Sequence, residues 1–153
     1  RQPGATRRAI SVITPSIATE TCAACRRSGS SSPISITSPD EVTIRKRRAV
    51  TNHLGTVHAI AMCNMAELAA GIMTEASVPA SHRWIPKGMT VDYLKKAGTD
   101  LRAVAELAPL PDFGAAAELL VPVNVMDSGG VVVCRAGIRM WVSPQKDAHA
   151  RPD

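Results

Sequence analysis

Between Asn52 and Ala76 the chain reads NHLGTVHAIAMCNMAELAAGIMTEA, and one residue in it is out of place. Glu67 stands among Met62, Cys63, Met65, Ala66, Leu68, Ala69, Ala70 and Ile72. A carboxylate among such neighbours is costly unless it is paired, protonated or close to water. Desolvation also makes it a stronger base, suited to activating water or to attacking a carbonyl itself. Spacing alone leaves a second possibility open. Asn64, Glu67, Gly71 and Thr74 follow one another at helical intervals, which also describes the wet edge of a helix.

A second group of chemical residues lies just upstream. Asn52, His53, Gly55, Thr56 and His58 gather small polar and ring side chains immediately before a helix start. The free N–H groups and positive dipole end of a helix N-terminus suit a developing oxyanion. Ala59 and Glu67 are eight residues apart on that helix, so about 12 Å separates them along its axis. One carbonyl carbon cannot sit within reach of both. A reaction that uses both groups therefore needs Glu67 from a second copy of the helix, and predicts a dimer with sites at its interface.

The elements that must position these residues can be read from periodicity. The helix is predicted over His58–Met73, weakened by Gly71 and Thr74 and stopped before Pro79. It is apolar nearly all the way round, which predicts burial on every side. EVTIRKRRAV (41–50) reads as a first strand with a basic, exposed end, and SHRWIPKG (81–88) reads as a loop. Further strands are predicted at 89–97, 100–107, 119–126 and 131–142. The last of these alternates Val132, Cys134, Ala136, Ile138, Met140 and Val142 against Arg135 and Arg139, the clearest strand signal in the chain. Asp127-Ser128-Gly129-Gly130 joins the final two as a hairpin. The expected fold class is α+β, a buried helix wrapped by an antiparallel sheet. Residues 1–39, rich in Ser, Thr and Pro, are expected to be irregular or disordered, 40–144 to form the domain, and 145–153 to form a tail.

Composition narrows the function classes. The net charge is +5, but residues 1–48 hold nine Lys/Arg against three Asp/Glu, and the remainder is close to neutral. Aromatics are only 3%, so a base-stacking surface is not expected in the folded part, and nucleic acid is not the expected partner. No apolar run is long enough for a membrane span. Cys63 and Cys134 lie in apolar runs and read as small buried hydrophobes. Cys22 and Cys25 have redox or zinc-ligand spacing but lack a second pair, so no metal site is expected. Nothing demands an oxidising compartment, and a cytoplasmic location is expected. The opening Arg- and Ser-rich segment is like transit peptides and like many tails.

The stretch Asn52-His-Leu-Gly-Thr-Val-His58-Ala59 followed by Asn-Met-Ala-Glu67 resembles the signature of hotdog-fold acyl-CoA thioesterases of the phenylacetyl-CoA thioesterase type, nearest to a branch filed as a domain of unknown function. Those proteins have an Asn, then a His-Gly pair opening the central helix, then an acid fifteen residues after the Asn; Asn52 and Glu67 keep that interval. YLKKA (93–97) resembles their following strand. The resemblance spans about 41–143. It implies a long helix wrapped by an antiparallel sheet, a homodimer or dimer of dimers, and active sites shared between subunits. It also implies roles: Glu67 as base or nucleophile, Asn52 orienting water or the thioester, the Ala59 N–H donating to the oxyanion, and His58 flanking the site. Gly55, Thr56 and Asn64 would border the substrate. Lys95, Lys96 and Arg102 would meet the phosphates of coenzyme A, although solvated strand ends explain them better. No separate cofactor is required, since coenzyme A enters as part of the substrate. Ala59 and Glu67 depart from the commoner Gly and Asp.

Hydrolysis of an acyl-CoA is therefore the expected activity. A hotdog hydratase or dehydratase is less well matched, because GTVHAIAM lacks the Pro/Gly-rich stretch around the His. A non-catalytic acyl- or CoA-binding module shares the fold and is a further alternative. Met62, Met65 and Leu68 would suit an aliphatic or an aryl acyl chain equally.

Overall fold

The computed structural model describes residues 34–38, 40–107 and 112–145. Two strands, β1 (Ile34–Ser38) and β2 (Glu41–Ile44), lead to a short 3-10 turn at Arg48–Val50. Then come the helix α1 (Ala59–Ser77) and four strands: β3 (His82–Tyr93), β4 (Leu101–Ala105), β5 (Ala117–Asp127) and β6 (Val132–Pro144). They form one sheet in the order β1-β2-β4-β5-β6-β3, with antiparallel pairing throughout.

The alternation read from the sequence defines the inner face. Val42 and Ile44, then Leu101, Ala103 and Ala105, then Val121, Val123 and Val125, are all buried. On β6, Cys134, Ala136, Ile138, Met140 and Val142 complete the wall. Against it α1 sets Ala61, Met62, Met65, Ala66, Ala69 and Ala70. Four of these six are alanines, which let the helix axis approach the strands closely while the methionines fill the gaps. This is the hotdog arrangement that the resemblance implies.

Five sequence expectations change. A strand already runs over Ile34–Ser38, within the stretch expected to be irregular; its register with β2 slips between Ile36 and Ser38. Residues 1–33, with Cys22 and Cys25, and residues 146–153 lie outside the described residues. The helix passes Gly71 and Thr74 and ends at Ser77. Thr74 returns its hydroxyl to the Ala70 carbonyl at 2.7 Å inside the core, and the Trp84 ring lies over Gly71, where a Cβ would come within 3.2 Å of it. The supposed loop SHRWIPKG is the first half of β3 from His82 onward. Pro86 is compatible with it because β3 lies at the sheet edge and the register shifts between Pro86 and Gly88. At the other end β3 stops at Tyr93, so Leu94–Ala97 forms a strap and not a strand.

The fifth change concerns burial. Only one side of α1 faces the sheet. Ile60 is 69% exposed and Leu68 37%, and Asn64, Glu67 and Glu75 are exposed with them. The apolar character that suggested an all-round buried helix includes an open stripe.

Candidate active site

The loop before α1 is built around Asn52. Its side-chain oxygen accepts from the Leu54 N–H (3.0 Å), the Thr56 N–H (3.1 Å) and the Thr56 hydroxyl (3.2 Å). Its amide donates to Thr56 Oγ1 at 3.0 Å. The backbone reinforces the turn, with Asn52 N–H on the Thr56 carbonyl and Gly55 N–H on the Asn52 carbonyl. Asn52 thus shapes the loop and has one amide hydrogen left for anything else. Gly55 completes the turn at φ +74°, and a Cβ there would meet nothing within 4 Å. Gly55→Ala should therefore cost about 1–2 kcal/mol from backbone strain alone, visible as a lower midpoint in a denaturant melt.

The loop delivers His58 to the helix. His58 is the N-cap: its Nδ1 accepts the Ala61 N–H at 3.1 Å, so in this form Nε2 carries the ring proton. The His58 N–H is held by the Val50 carbonyl, and the Val57 N–H by the Ala97 carbonyl. His58→Ala should remove about 1 kcal/mol of stability while His58→Asn, a good cap, should keep most of it; parallel urea melts of the two variants test this.

With Ala61 capped, the N–H groups of Ala59 and Ile60 are the open donors of the first turn. Neither has an acceptor among the described residues, and both residues are exposed. Two unpartnered N–H groups at the positive end of a 19-residue helix are an arrangement that can receive an oxygen carrying negative charge.

Glu67 lies on the open stripe with Ile60, Asn64 and Leu68. The buried environment expected for it is not present within one chain, because its neighbours Met62, Met65, Ala66, Ala69 and Ala70 turn toward the sheet while Glu67 turns away. Met62 and Met65 belong to the core cluster, which leaves Leu68 as the one acyl-chain candidate on the open side. Eight residues still separate Ala59 from Glu67, about 12 Å along the helix.

The cations are divided. Arg102 is on the outer face of β4, opposite the helix, in an ion pair with Glu41 at 3.2 Å. It lines a groove of ≈ 580 Å³ with Asp100 and Asp127, and the structure does not bring it to the helix start. Lys95 and Lys96 are exposed on the strap whose Ala97 carbonyl holds Val57, next to His58.

One neighbour was missed by sequence reasoning. Cys63, read as a buried hydrophobe, is only half-buried, and its Sγ lies 3.2 Å from the hydroxyl of Tyr93 on the edge strand. That hydrogen bond, with some desolvation, pushes the Tyr93 phenol up to about 12. Cys134 is buried as expected, and burial pushes its thiol up to about 11, which makes it a packing residue and not a nucleophile. Among the described residues no cluster of His, Cys, Asp or Glu could hold a metal ion, and no helix is long and apolar enough to cross a membrane.

The signature of a family described as a domain of unknown function, DUF4442, matches residues 36–142. A search of curated proteins finds no match. Among solved structures, the genomics target APC5556 is 58% identical, over 69% of this chain and 70% of its own, with a TM-score of 0.64. The BH2602 protein of Bacillus halodurans, crystallised with CoA, is 24% identical over 67% of this chain and 66% of its own, with a TM-score of 0.59. A Pseudomonas aeruginosa protein, PA5026, described as a "probable thioesterase", is 21% identical over 73% of this chain and 82% of its own, with a TM-score of 0.65. The match with BH2602 thus spans slightly less than two thirds of that protein's length.

Proposed function

The chain belongs to the DUF4442 family and has the hotdog fold, and from that premise we propose that it hydrolyses an acyl-CoA thioester to a free acid and coenzyme A. The observation that carries this is the pair of open N–H groups, Ala59 and Ile60, on the same helix as an exposed Glu67. The CoA in the Bacillus halodurans structure and the thioesterase description of the Pseudomonas aeruginosa protein support the substrate class.

The thioester carbonyl oxygen accepts from the Ala59 N–H, so negative charge developing on it meets the positive end of α1. Glu67 of the partner subunit takes a proton from water as the water oxygen attacks the carbonyl carbon. The tetrahedral intermediate collapses, the C–S bond breaks, and the departing thiolate takes up the proton. Glu67 could instead attack directly, forming a mixed anhydride that water then opens. In either case the 12 Å between Ala59 and Glu67 requires two copies. The open stripe of α1, with Ile60 and Leu68 exposed, adjoins Tyr93 on β3, whose outer edge has no partner strand among the described residues, through the Cys63 contact. A second copy seated there would cover apolar surface and an open edge together, and would give Glu67 the dry surroundings that a base needs.

Asn52 then acts by holding the loop, and His58 by fixing the first turn. Lys95 and Lys96 remain at the mouth for the coenzyme, whereas Arg102 is held by Glu41 on the other face. Thiol release from a panel of short, medium, long and aryl acyl-CoAs, followed with a thiol-reactive dye, tests the assignment. Release from at least one class is expected. A chain that binds acyl-CoA and releases no thiol would be a binding module, and an absorbance change on an enoyl-CoA without thiol release would mark a hydratase.

A further inference from the structure

Over Ala59–Leu68 the outward side of α1 reads the same from both ends. Exposed residues stand in adjacent pairs, Ala59-Ile60 at one end and Glu67-Leu68 at the other. Half-buried Cys63 and exposed Asn64 lie midway between them. The residues in the gaps, Ala61, Met62, Met65 and Ala66, are buried against the sheet. The exposed pattern is therefore a palindrome centred between Cys63 and Asn64. A surface of that kind suits a second copy of itself, because copies related by a two-fold axis present the same patch to each other.

The shared-site reading fixes how the copies meet, and the present inference rests on that reading. Each reaction centre takes Ala59 from one copy and Glu67 from the other, and there are two such centres. Both pairings hold together only if the two helices run antiparallel, each end of the Ala59–Glu67 segment beside the opposite end of its mate. The axis then crosses α1 at the middle of the segment. That residue is Cys63, about 6 Å along the helix from either end. The apolar residues give an independent centre. Seating the exposed Ile60 against Leu68 of the partner subunit covers both and places the axis at Asn64. The two centres differ by one residue, about 1.5 Å of rise.

The dimensions suit a covalent link at that point. With helix axes about 9 Å apart, directly facing Cα atoms come to about 4.5 Å. A disulfide spans about 4.4–6.8 Å between Cα atoms. The Cys63 Sγ lies 3.2 Å from the Tyr93 hydroxyl, so the thiol stands at the margin between the helix and the edge strand β3, not under the sheet. Cys134, the other free thiol among the described residues, is buried on β6 opposite Tyr93.

We propose that Cys63 faces Cys63 of the partner subunit across the two-fold axis, a paired-thiol site midway between the two reaction centres that a small disulfide oxidises to an inter-subunit bond. Both S–H bonds break and one S–S bond forms, while the two electrons and two protons convert the small disulfide, such as oxidised glutathione, into two thiols. The bond joins the helices whose contact completes both centres. Oxidation thus ties the two halves of each site together, and reduction frees them.

The test uses the full chain with Cys22→Ser and Cys25→Ser, so that Cys63 and Cys134 are the thiols left. Oxidised glutathione should give a covalent dimer on a non-reducing gel, and peptide mapping should find Cys63 joined to Cys63. Dithiothreitol should reverse the link, and adding Cys63→Ser should abolish it. The melting temperature of the linked dimer should no longer depend on protein concentration, whereas that of the reduced dimer should rise with it. A second arm checks the register without the native thiol. In the Cys63→Ser chain, subunits carrying Ile60→Cys and subunits carrying Leu68→Cys should link to each other about tenfold or more faster than either links to itself. A Cys63–Cys134 bond within one chain, a monomer under oxidation, or equal rates in the second arm would overturn the pairing. A dimer that hydrolyses thioesters but forms no Cys63 link would remove the pairing and leave the hydrolase reading intact. The link in a chain that releases no thiol from any acyl-CoA would do the reverse.

Discussion

Ala59→Pro is expected to lower kcat for thioester hydrolysis by about 10²–10³-fold while the protein stays folded. Ala59 is the first residue of α1, and its N–H has no partner within the helix. Proline is tolerated at that position because it removes only an N–H that the helix does not use. The residue before it is also suitable: His58 is extended, at φ −75° and ψ 152°, the conformation that a following proline prefers. The substitution therefore deletes one hydrogen-bond donor and little else. Ala59→Gly keeps the donor and serves as the control. Far-UV circular dichroism and a thermal melt establish that the fold persists, and steady-state thiol release gives the kinetics. A loss confined to kcat places this N–H at the developing oxyanion. An unchanged kcat would place that charge somewhere else.

Glu67→Gln should have an effect as large or larger, about 10²–10⁴-fold in kcat. The change preserves size and shape, and Glu67 is exposed within one chain, so its effect on the stability of the single chain should stay within about 0.5 kcal/mol. Glu67→Asp shortens the side chain by one methylene and should fall between the two, because it retains the base but withdraws it from the carbonyl. Kinetics at matched oligomeric state separate the outcomes. If Glu67→Gln retains wild-type turnover, Glu67 is only the wet edge of the helix, the second possibility that its spacing with Asn64, Gly71 and Thr74 allowed.

What could be read from the sequence follows physical lines. The inner faces of β4, β5 and β6 were legible because a half-buried strand writes its burial as alternation, and Cys134 to Val142 does so without a break. The Asp127–Gly130 hairpin was legible because its turn chemistry is local: Asp127 Oδ1 accepts from the Gly129 and Val131 N–H groups. The first half of β3 was not legible. Pro86 and Gly88 are loop signals, and only the edge position and a register shift make them acceptable in a strand. The surroundings of Glu67 were misread for a related reason. Hydrophobicity records that a side chain is covered, not what covers it, and Ile60 and Leu68 are apolar on a face that a single chain leaves open. Asn52 was singled out as a site residue, and the hydrogen bonds that its side chain makes go to its own loop. The string Arg45–Arg48 was visible as charge, yet the bonds from Lys46 to Asp100 and Gly98 join segments some fifty residues apart and were not legible. The same is true of the Cys63–Tyr93 contact, which joins the helix to the edge strand.

The central claim is that one reaction centre is assembled from two copies of the chain. Isolating a mixed dimer of Ala59→Pro and Glu67→Gln subunits, co-expressed under different affinity tags, tests it most directly. Each parent should be inactive, since every site in it lacks either the N–H donor or the carboxylate. In the mixed dimer one of the two sites joins an intact Ala59 from one subunit to an intact Glu67 from the other, and thiol release should return. A mixed dimer as inactive as its parents, beside an active wild type, would contradict the shared site and require both groups to act without a partner.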